Sequence, residues 1–395
     1  MPLGLYISVP FCKTKCSYCN FASDVFSRAV FKRYVDRLCS DIERAKETAS
    51  QMHGHFERSV DSIYLGGGTP TLLEIPQLER IFVTIWQICE ISNVAEITVE
   101  CAPGTLTDIV LEFFQRAGVN RVSLGVQSFV DKEASSVGRL HTRKIVEDDI
   151  GRLGQAGISD INVDLIAGLP HQTTESWQTS VQALIATGVP HASVYMLEID
   201  EDSRLGSELI AGGTKYHAHF VPNEDLVADF YESACEQLST AGILQYEISN
   251  FAREGRQSRH NLKYWTREAY MGFGVDAHSM LCSASRGGES VRFSNPDSLE
   301  RYAAGDAPNR MIVDAHSALE EEFFLGLRLN RGINLRQLTV NHGAKATAGA
   351  EFTIAQLMKE NLLTKDGDLV RLTPRGRLLS NEVFERFLSK PEQVF

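Results

Sequence analysis

Short apolar runs rich in β-branched residues alternate with longer stretches of helical pattern through the first half of the chain. The runs at 4–9 (GLYISV), 61–65 (DSIYL), 95–100 (AEITVE), 120–126 (NRVSLGV), 159–165 (SDINVDL) and 191–197 (HASVYML) read as strands. Helical pattern fills 28–51, 75–91, 107–117, 143–156 and 175–187 between them. Ala117-Gly118-Val119, Ala156-Gly157-Ile158 and Thr187-Gly188-Val189 each place a glycine where a helix would end before the next strand. Alternating β and α implies a parallel sheet with helices outside it, and six such units suggest a partial TIM-like (β/α)6 barrel in an α/β fold.

The alternation stops near residue 200. Residues 200–222 are rich in glycine and charge and read as a long connection, giving a barrel domain over 1–222. The stretch 223–310 holds a helical pattern at 223–241, the strand-like LQYEISNF and loops, and reads as a connecting region. In 311–395 the pattern becomes helix, helix, a hairpin turning at Asp366-Gly367, and helix, the outline of an α-rich winged-helix-like domain.

Composition narrows the class. The 395 residues are 43% hydrophobic and 23% charged, which suits a globular protein of two or three domains. A formal charge of −12 speaks against general nucleic-acid affinity. The tail carries Arg371, Arg375, Arg377 and Arg386 but also Glu382, Glu385, Asp366 and Asp368, a mixed surface and no basic stripe. The first residues lack the charged and apolar regions of a signal peptide, and no apolar run is long enough to span a bilayer. Cys39, Cys89, Cys101, Cys235 and Cys282 stand alone, as free thiols do in a reducing compartment, so a cytoplasmic location is expected.

Chemistry concentrates at the strand ends. Cys12, Cys16 and Cys19 put three thiols on one short loop after the first strand. A zinc clip is one reading, although zinc prefers four protein ligands and no nearby fourth Cys or His follows. A four-iron cluster takes one thiolate per iron, so three would leave one iron open for a further ligand. The second strand runs into LGGGTPT (Leu65–Thr71), whose glycines let backbone N–H groups approach a ligand. The third, fourth and fifth strands end at Glu100, Gln127 and Asp164. One such group is ordinarily a cap for the next helix; several on one rim beside a thiol cluster mark the active face of a βα barrel.

The CxxxCxxC loop, the GGGTP turn and the polar strand ends resemble the radical S-adenosylmethionine superfamily, and most of the chain resembles its HemN/HemW subgroup. The resemblance implies a [4Fe–4S] cluster on Cys12, Cys16 and Cys19, with the open iron binding S-adenosylmethionine. It implies further that Tyr6, Gly67, Gly68, Thr69, Glu100, Gln127, Arg139 and Asp164 contact that cofactor, whose sulfonium is cleaved to a 5′-deoxyadenosyl radical on cluster reduction. Two activities compete within the subgroup. One is the oxygen-independent coproporphyrinogen III dehydrogenase, a radical decarboxylase of porphyrin synthesis. The other is the HemW branch, described as heme chaperones that bind heme and pass it to respiratory proteins. The dehydrogenase has a cysteine two positions after the third cluster ligand, where this chain has Phe21, and an N-terminal extension for which Cys12 leaves no room. HNLKYW (His260–Trp265) matches the H-N-x-x-Y-W motif of the chaperone branch. The resemblance thus implies heme binding, with His260 a candidate axial ligand and His278 a second, and an acceptor in the respiratory chain. Such an acceptor leaves peripheral membrane contact open. The chain departs from the subgroup at Ala102, at Ala167, in lacking a proline after the acidic residues of YMLEIDEDSRLG, and at Asp276.

Overall fold

The computed structural model describes residues 1–284 and 289–388. Six strands, β1 (Leu3–Val9), β2 (Ser59–Gly67), β3 (Glu90–Cys101), β4 (Arg121–Gln127), β5 (Asp160–Ala167) and β6 (His191–Met196), pair in parallel and in sequence order. Helices separate them, so the partial (β/α)6 barrel expected from the alternation is the fold. Thr107 and Thr173 cap the helices after β3 and β5 by accepting the N–H groups of Val110 and Ser176. Gly118 and Gly188 end those helices in the left-handed conformation, as the sequence predicts. The single helical stretch read at 28–51 breaks at Arg44 into Arg28–Glu43 and Ala45–Gln51.

Strand side chains divide by period two. Leu5 and Ile7, Ile63 and Leu65, Val122 and Leu124, and Val163 and Leu165 are fully buried in the main apolar core, beneath the helices. The opposite face carries Tyr6 and Ser8; Ser62, Tyr64 and Gly66; Thr98 and Glu100; Ser123 and Gln127; Asn162 and Asp164; His191 and Ser193. Register brings these into belts: Tyr6 pairs with Tyr64, Glu100 with Ser123, Ser123 with Asn162, and Asp164 with Ser193.

The stretch 223–313 extends the sheet at both ends. The short strands β7 (Leu244–Gln245) and β8 (Asn250–Ala252) add antiparallel beyond β6. On the other flank β9 (Tyr270–Phe273) pairs in parallel with β1, followed by antiparallel β10 (His278–Cys282), β11 (Ser290–Ser294) and β12 (Asn309–Val313). The result is one twelve-stranded sheet in which β1 is an interior strand between β9 and β2. No local pattern specifies this pairing, since β9 joins a strand more than 260 residues earlier.

The connection read at 200–222 contains a helix, Arg204–Ala211, capped by Ser203. Leu205 is fully buried there and its N–H donates to the Ser17 carbonyl at 2.8 Å. The C-terminal region has its own apolar core, in which Leu319, Phe323 and Leu327 pack with Leu338, Leu357 and Val370. It comprises the helices Ala315–Arg328, Leu335–His342 and Ala344–Lys359, a three-stranded sheet of β13 (Ile333–Asn334), β14 (Leu363–Asp366) and β15 (Leu369–Leu372), and two short terminal helices. The helix at 335–342 is additional to the pattern read from sequence. Among the described residues no helix is long and apolar enough to cross a membrane.

Candidate functional site

The cysteine loop, the glycine turn and the rim residues Glu100, Gln127 and Asp164 gather toward the ends of β1 to β5. The cysteine loop leaves β1 and is tied down from three sides. The Cys12 N–H donates to Asp24, the Ser17 N–H to Val137, and the Thr14 hydroxyl to Gly138 at 2.9 Å. The 200–205 segment buttresses it through Leu205, through Arg204 to the Lys15 carbonyl at 3.2 Å, and through Asn20 to Asp200 at 3.0 Å. Arg139 spans loop and barrel: one guanidinium nitrogen lies 3.7 Å from the Cys16 sulfur, and another donates to the Gly125 carbonyl of β4. Burial, ahead of the neighbouring thiols, raises the Cys12 pKa. Among the described residues no three His, Cys, Asp or Glu side chains converge on one point as a single metal ion would require. A four-iron cluster spreads its thiolates over separate irons and does not need that convergence. Three thiols on one anchored loop, with a cation beside Cys16, fit the cluster better than they fit zinc.

The glycine turn is sterically fixed. A Cβ on Gly68 would lie 2.6 Å from the Phe11 carbonyl oxygen and 2.8 Å from that of Val9, and Gly67 sits at φ +102°. Only glycine lets this turn lie flat on the end of β1, where the Gly68 and Thr69 N–H groups donate to Val9 and Phe11. The Gly67 N–H donates to Glu100 at 3.0 Å, and the Tyr64 hydroxyl donates to its other oxygen at 2.8 Å. Burial pushes Glu100 up to about 7, with Asp164 adding to the rise and the Tyr64 bond opposing it.

Asp164 belongs to a hydrogen-bonded network of side chains from β4, β5 and β6. Asn162 donates to Asp164 at 2.7 Å and to Ser123 at 2.8 Å. Its carbonyl oxygen lies 2.6 Å from His191 Nδ1, and the Ser193 hydroxyl donates either to it at 3.2 Å or to the Asn250 carbonyl oxygen at 2.9 Å. With Nδ1 protonated, His191 Nε2 accepts from the Tyr246 hydroxyl at 3.0 Å. Tyr64, Asn162, His191 and Ser193 were not singled out by sequence reasoning. The available signal was their spacing, three or five residues before a strand end and on the same face. Gln127 ends β4 at φ +69°, a left-handed conformation costing a non-glycine residue about 1–3 kcal/mol. Its Oε1 is buried without a hydrogen-bond partner. A strained residue holding an unmet acceptor at the rim fits a ligand that brings its own N–H or O–H donors.

Beside this rim opens a cavity of about 400 Å³, lined by Tyr6, Ser8 and Gly67 of the barrel, by Phe21 to Ser23 of the cysteine loop, and by Tyr264, Tyr270, Asp276 and His278. The HNLKYW helix, Arg259–Trp265, contributes Tyr264 to its wall. Glu96 accepts the N–H groups of Arg259 and His260, which fixes the helix to β3. His260 does not reach the cavity. It is fully buried, with Nδ1 3.0 Å from the Ser62 hydroxyl and Nε2 2.8 Å from the Tyr264 hydroxyl. Burial, and then the Lys263 charge, lowers its pKa to about 3, so the ring is neutral. Both His260 nitrogens are thus engaged and the ring is sealed from the cavity in this structure. The motif is a joint. His260 packs on Tyr64 with ring centres 5.3 Å apart, Tyr264 faces the cavity, and Arg328 of the C-terminal region lies 4.3 Å over Trp265 while pairing with buried Glu247. The other candidate, His278, is 67% exposed at the cavity.

This barrel, with a thiol loop on its first strand and glycine and carboxylate groups on the ends of the next, is of the radical S-adenosylmethionine class. The model of that superfamily matches residues 6–184, and that of the HemN C-terminal domain matches residues 313–379. Membership implies a [4Fe–4S] cluster and S-adenosylmethionine. Coproporphyrinogen III oxidase HemN of Escherichia coli superposes with a TM-score of 0.82 over 98% of this chain and 90% of its own, at 22% identity, which speaks for the fold alone. The heme chaperones HemW of Lactococcus lactis and Bacillus subtilis are each 32% identical to the chain over 98% of its length, and over 97% and 99% of their own. The chain belongs to the HemW family. A dehydrogenase of the HemN kind is correspondingly less favoured.

Proposed function

We propose that the protein is a heme chaperone of the HemW type, which binds heme and passes it to an acceptor protein. Cys12, Cys16 and Cys19 hold the [4Fe–4S] cluster. Tyr6, Gly67, Gly68, Thr69, Glu100, Gln127, Arg139 and Asp164 hold S-adenosylmethionine, with Arg139 suited to its carboxylate and the strand-end carboxylates to its hydroxyl groups. The cluster, when present and reduced, supplies the electron for sulfonium cleavage; the chain's part is to orient the cofactor and shield it. Heme is the cargo, the acceptor is a respiratory protein, and the setting is the cytoplasm, with contact at a membrane surface during delivery.

The observation that carries this reading is the aromatic-walled cavity against the cysteine loop, in a chain related over its whole length to heme chaperones. Tyr6, Phe21, Tyr264 and Tyr270 offer flat apolar surface suited to a porphyrin. Phe21 stands where the dehydrogenase has its additional cysteine. Titration of anaerobically reconstituted protein with heme is expected to give a saturable Soret shift. Absence of that shift, together with decarboxylation of coproporphyrinogen III, would overturn the chaperone reading in favour of the dehydrogenase.

A further inference from the structure

Four observations single out one histidine at the cavity. His278 opens β10 and is held in the sheet opposite Ser294. Behind it a Cβ on Gly272 would stand 2.3 Å from the His278 carbonyl oxygen, so its backbone is clamped against β9. The side chain nonetheless points into the open, 67% exposed, in a chain whose other motif histidine is sealed. Asp276, two residues earlier, takes a left-handed φ of +55° while its N–H donates to Pro296. Its carboxylate lies 3.8 Å from His278 Nε2, just beyond hydrogen-bond range. A short rotation joins them, and whichever ring nitrogen then faces Asp276, the other is free for a metal. This is the arrangement by which a carboxylate fixes the tautomer of a metal-bound imidazole and raises its basicity. Phe21, 65% exposed, lines the same cavity and offers it a free ring face.

We propose that His278 is the axial ligand of the heme iron, oriented by Asp276, with Phe21 against the porphyrin. The proposal rests on the heme-binding reading above and departs from it in moving the ligand off the HNLKYW motif. A cavity of about 400 Å³ covers part of a porphyrin and leaves the remainder outside. One protein ligand on an exposed strand end suits a cargo that must leave again. Tyr6 and Gly67 line the same cavity, so the cargo would abut the place proposed for S-adenosylmethionine.

The test is heme titration of the reconstituted full chain as wild type, His278→Ala, His278→Ala with added imidazole, and Asp276→Asn, read by the Soret band and by resonance Raman. Thermal unfolding serves as the folding control. His278→Ala is expected to weaken heme binding by about tenfold or more and to lose the Fe–His stretch, with imidazole restoring the spectrum. Asp276→Asn is expected to keep the ligand and lower the Fe–His stretching frequency. A folded His278→Ala protein with wild-type affinity and an unchanged Soret band would overturn the assignment while leaving the chaperone reading intact. A wild type that gives no saturable Soret shift would remove that reading, and the assignment with it.

Discussion

The barrel interior and the flank beside β1 are adjacent and built on opposite principles. Inside, between β2 and β6, side chains form a closed network. Glu100 is held by Tyr64 and Gly67, Asp164 by Asn162 and Ser123, and Asn162 by His191. The space left among them is about 50 Å³. On the flank a cavity of about 400 Å³ is walled by aromatic rings, and its polar groups, Asp276 and His278, do not yet touch. Pre-formed hydrogen bonds select one polar ligand in one pose; flat apolar walls and one open donor atom accept a cargo and release it.

The largest effect expected from breaking one side without the other is at the cysteine loop. Cys16→Ala is expected to abolish the cluster's absorbance and all S-adenosylmethionine cleavage, because a cluster with two thiolates is not held. Heme affinity should change little, since none of the cavity walls is removed. Simultaneous loss of heme binding in a folded variant would merge the two regions into one site.

Asn162→Leu comes next. It keeps the volume but strips Asp164 of a donor and His191 of its acceptor, each a cost of about 1–3 kcal/mol in a buried setting. With Asp164 unheld, S-adenosylmethionine affinity is expected to fall roughly ten- to a hundredfold by calorimetry, with the heme titration unaltered. Retained cofactor affinity would show that the network stabilises the barrel and does not position Asp164.

Glu100 gives the interior a pH signature. Its ordinary value is 4.5 and burial raises it to about 7. Between those values the native state keeps a proton that the unfolded chain releases, so native protein binds more protons. The contribution of Glu100 to stability is therefore fully present below about 4.5 and is lost as pH rises to about 7. Urea melts of cofactor-free protein should follow this slope, and Glu100→Gln should remove it. A slope unaffected by the substitution would place the titration elsewhere.

These two regions were unequally legible in the sequence. The rim was readable because a βα unit puts its strand end at a position that local pattern fixes, so Glu100, Gln127 and Asp164 fall at the ends of β3, β4 and near that of β5. The interior partners were readable in principle, since Tyr64, Asn162 and His191 follow the same period of two. The flank was not. It depends on β9 joining β1 from the far end of the chain, and on which face of a seven-residue helix turns toward β2. That packing decides which histidine is closed, His260, and which is open, His278.

Phe21→Ala is the smallest perturbation and the finest test of the comparison. Lys15 donates to the Phe21 carbonyl at 2.7 Å, so truncating the ring leaves the loop anchored through the backbone. The ring is already 65% exposed, so little native packing is lost and the cluster should assemble as in wild type. Stacking against a porphyrin is worth about 0.5–1.5 kcal/mol, so heme affinity is expected to fall roughly two- to twelvefold. The Fe–His stretch should persist and S-adenosylmethionine affinity should stay constant. If instead cofactor affinity falls and heme affinity holds, Phe21 belongs to the cluster side, and the boundary between the two regions lies on the other side of the cysteine loop.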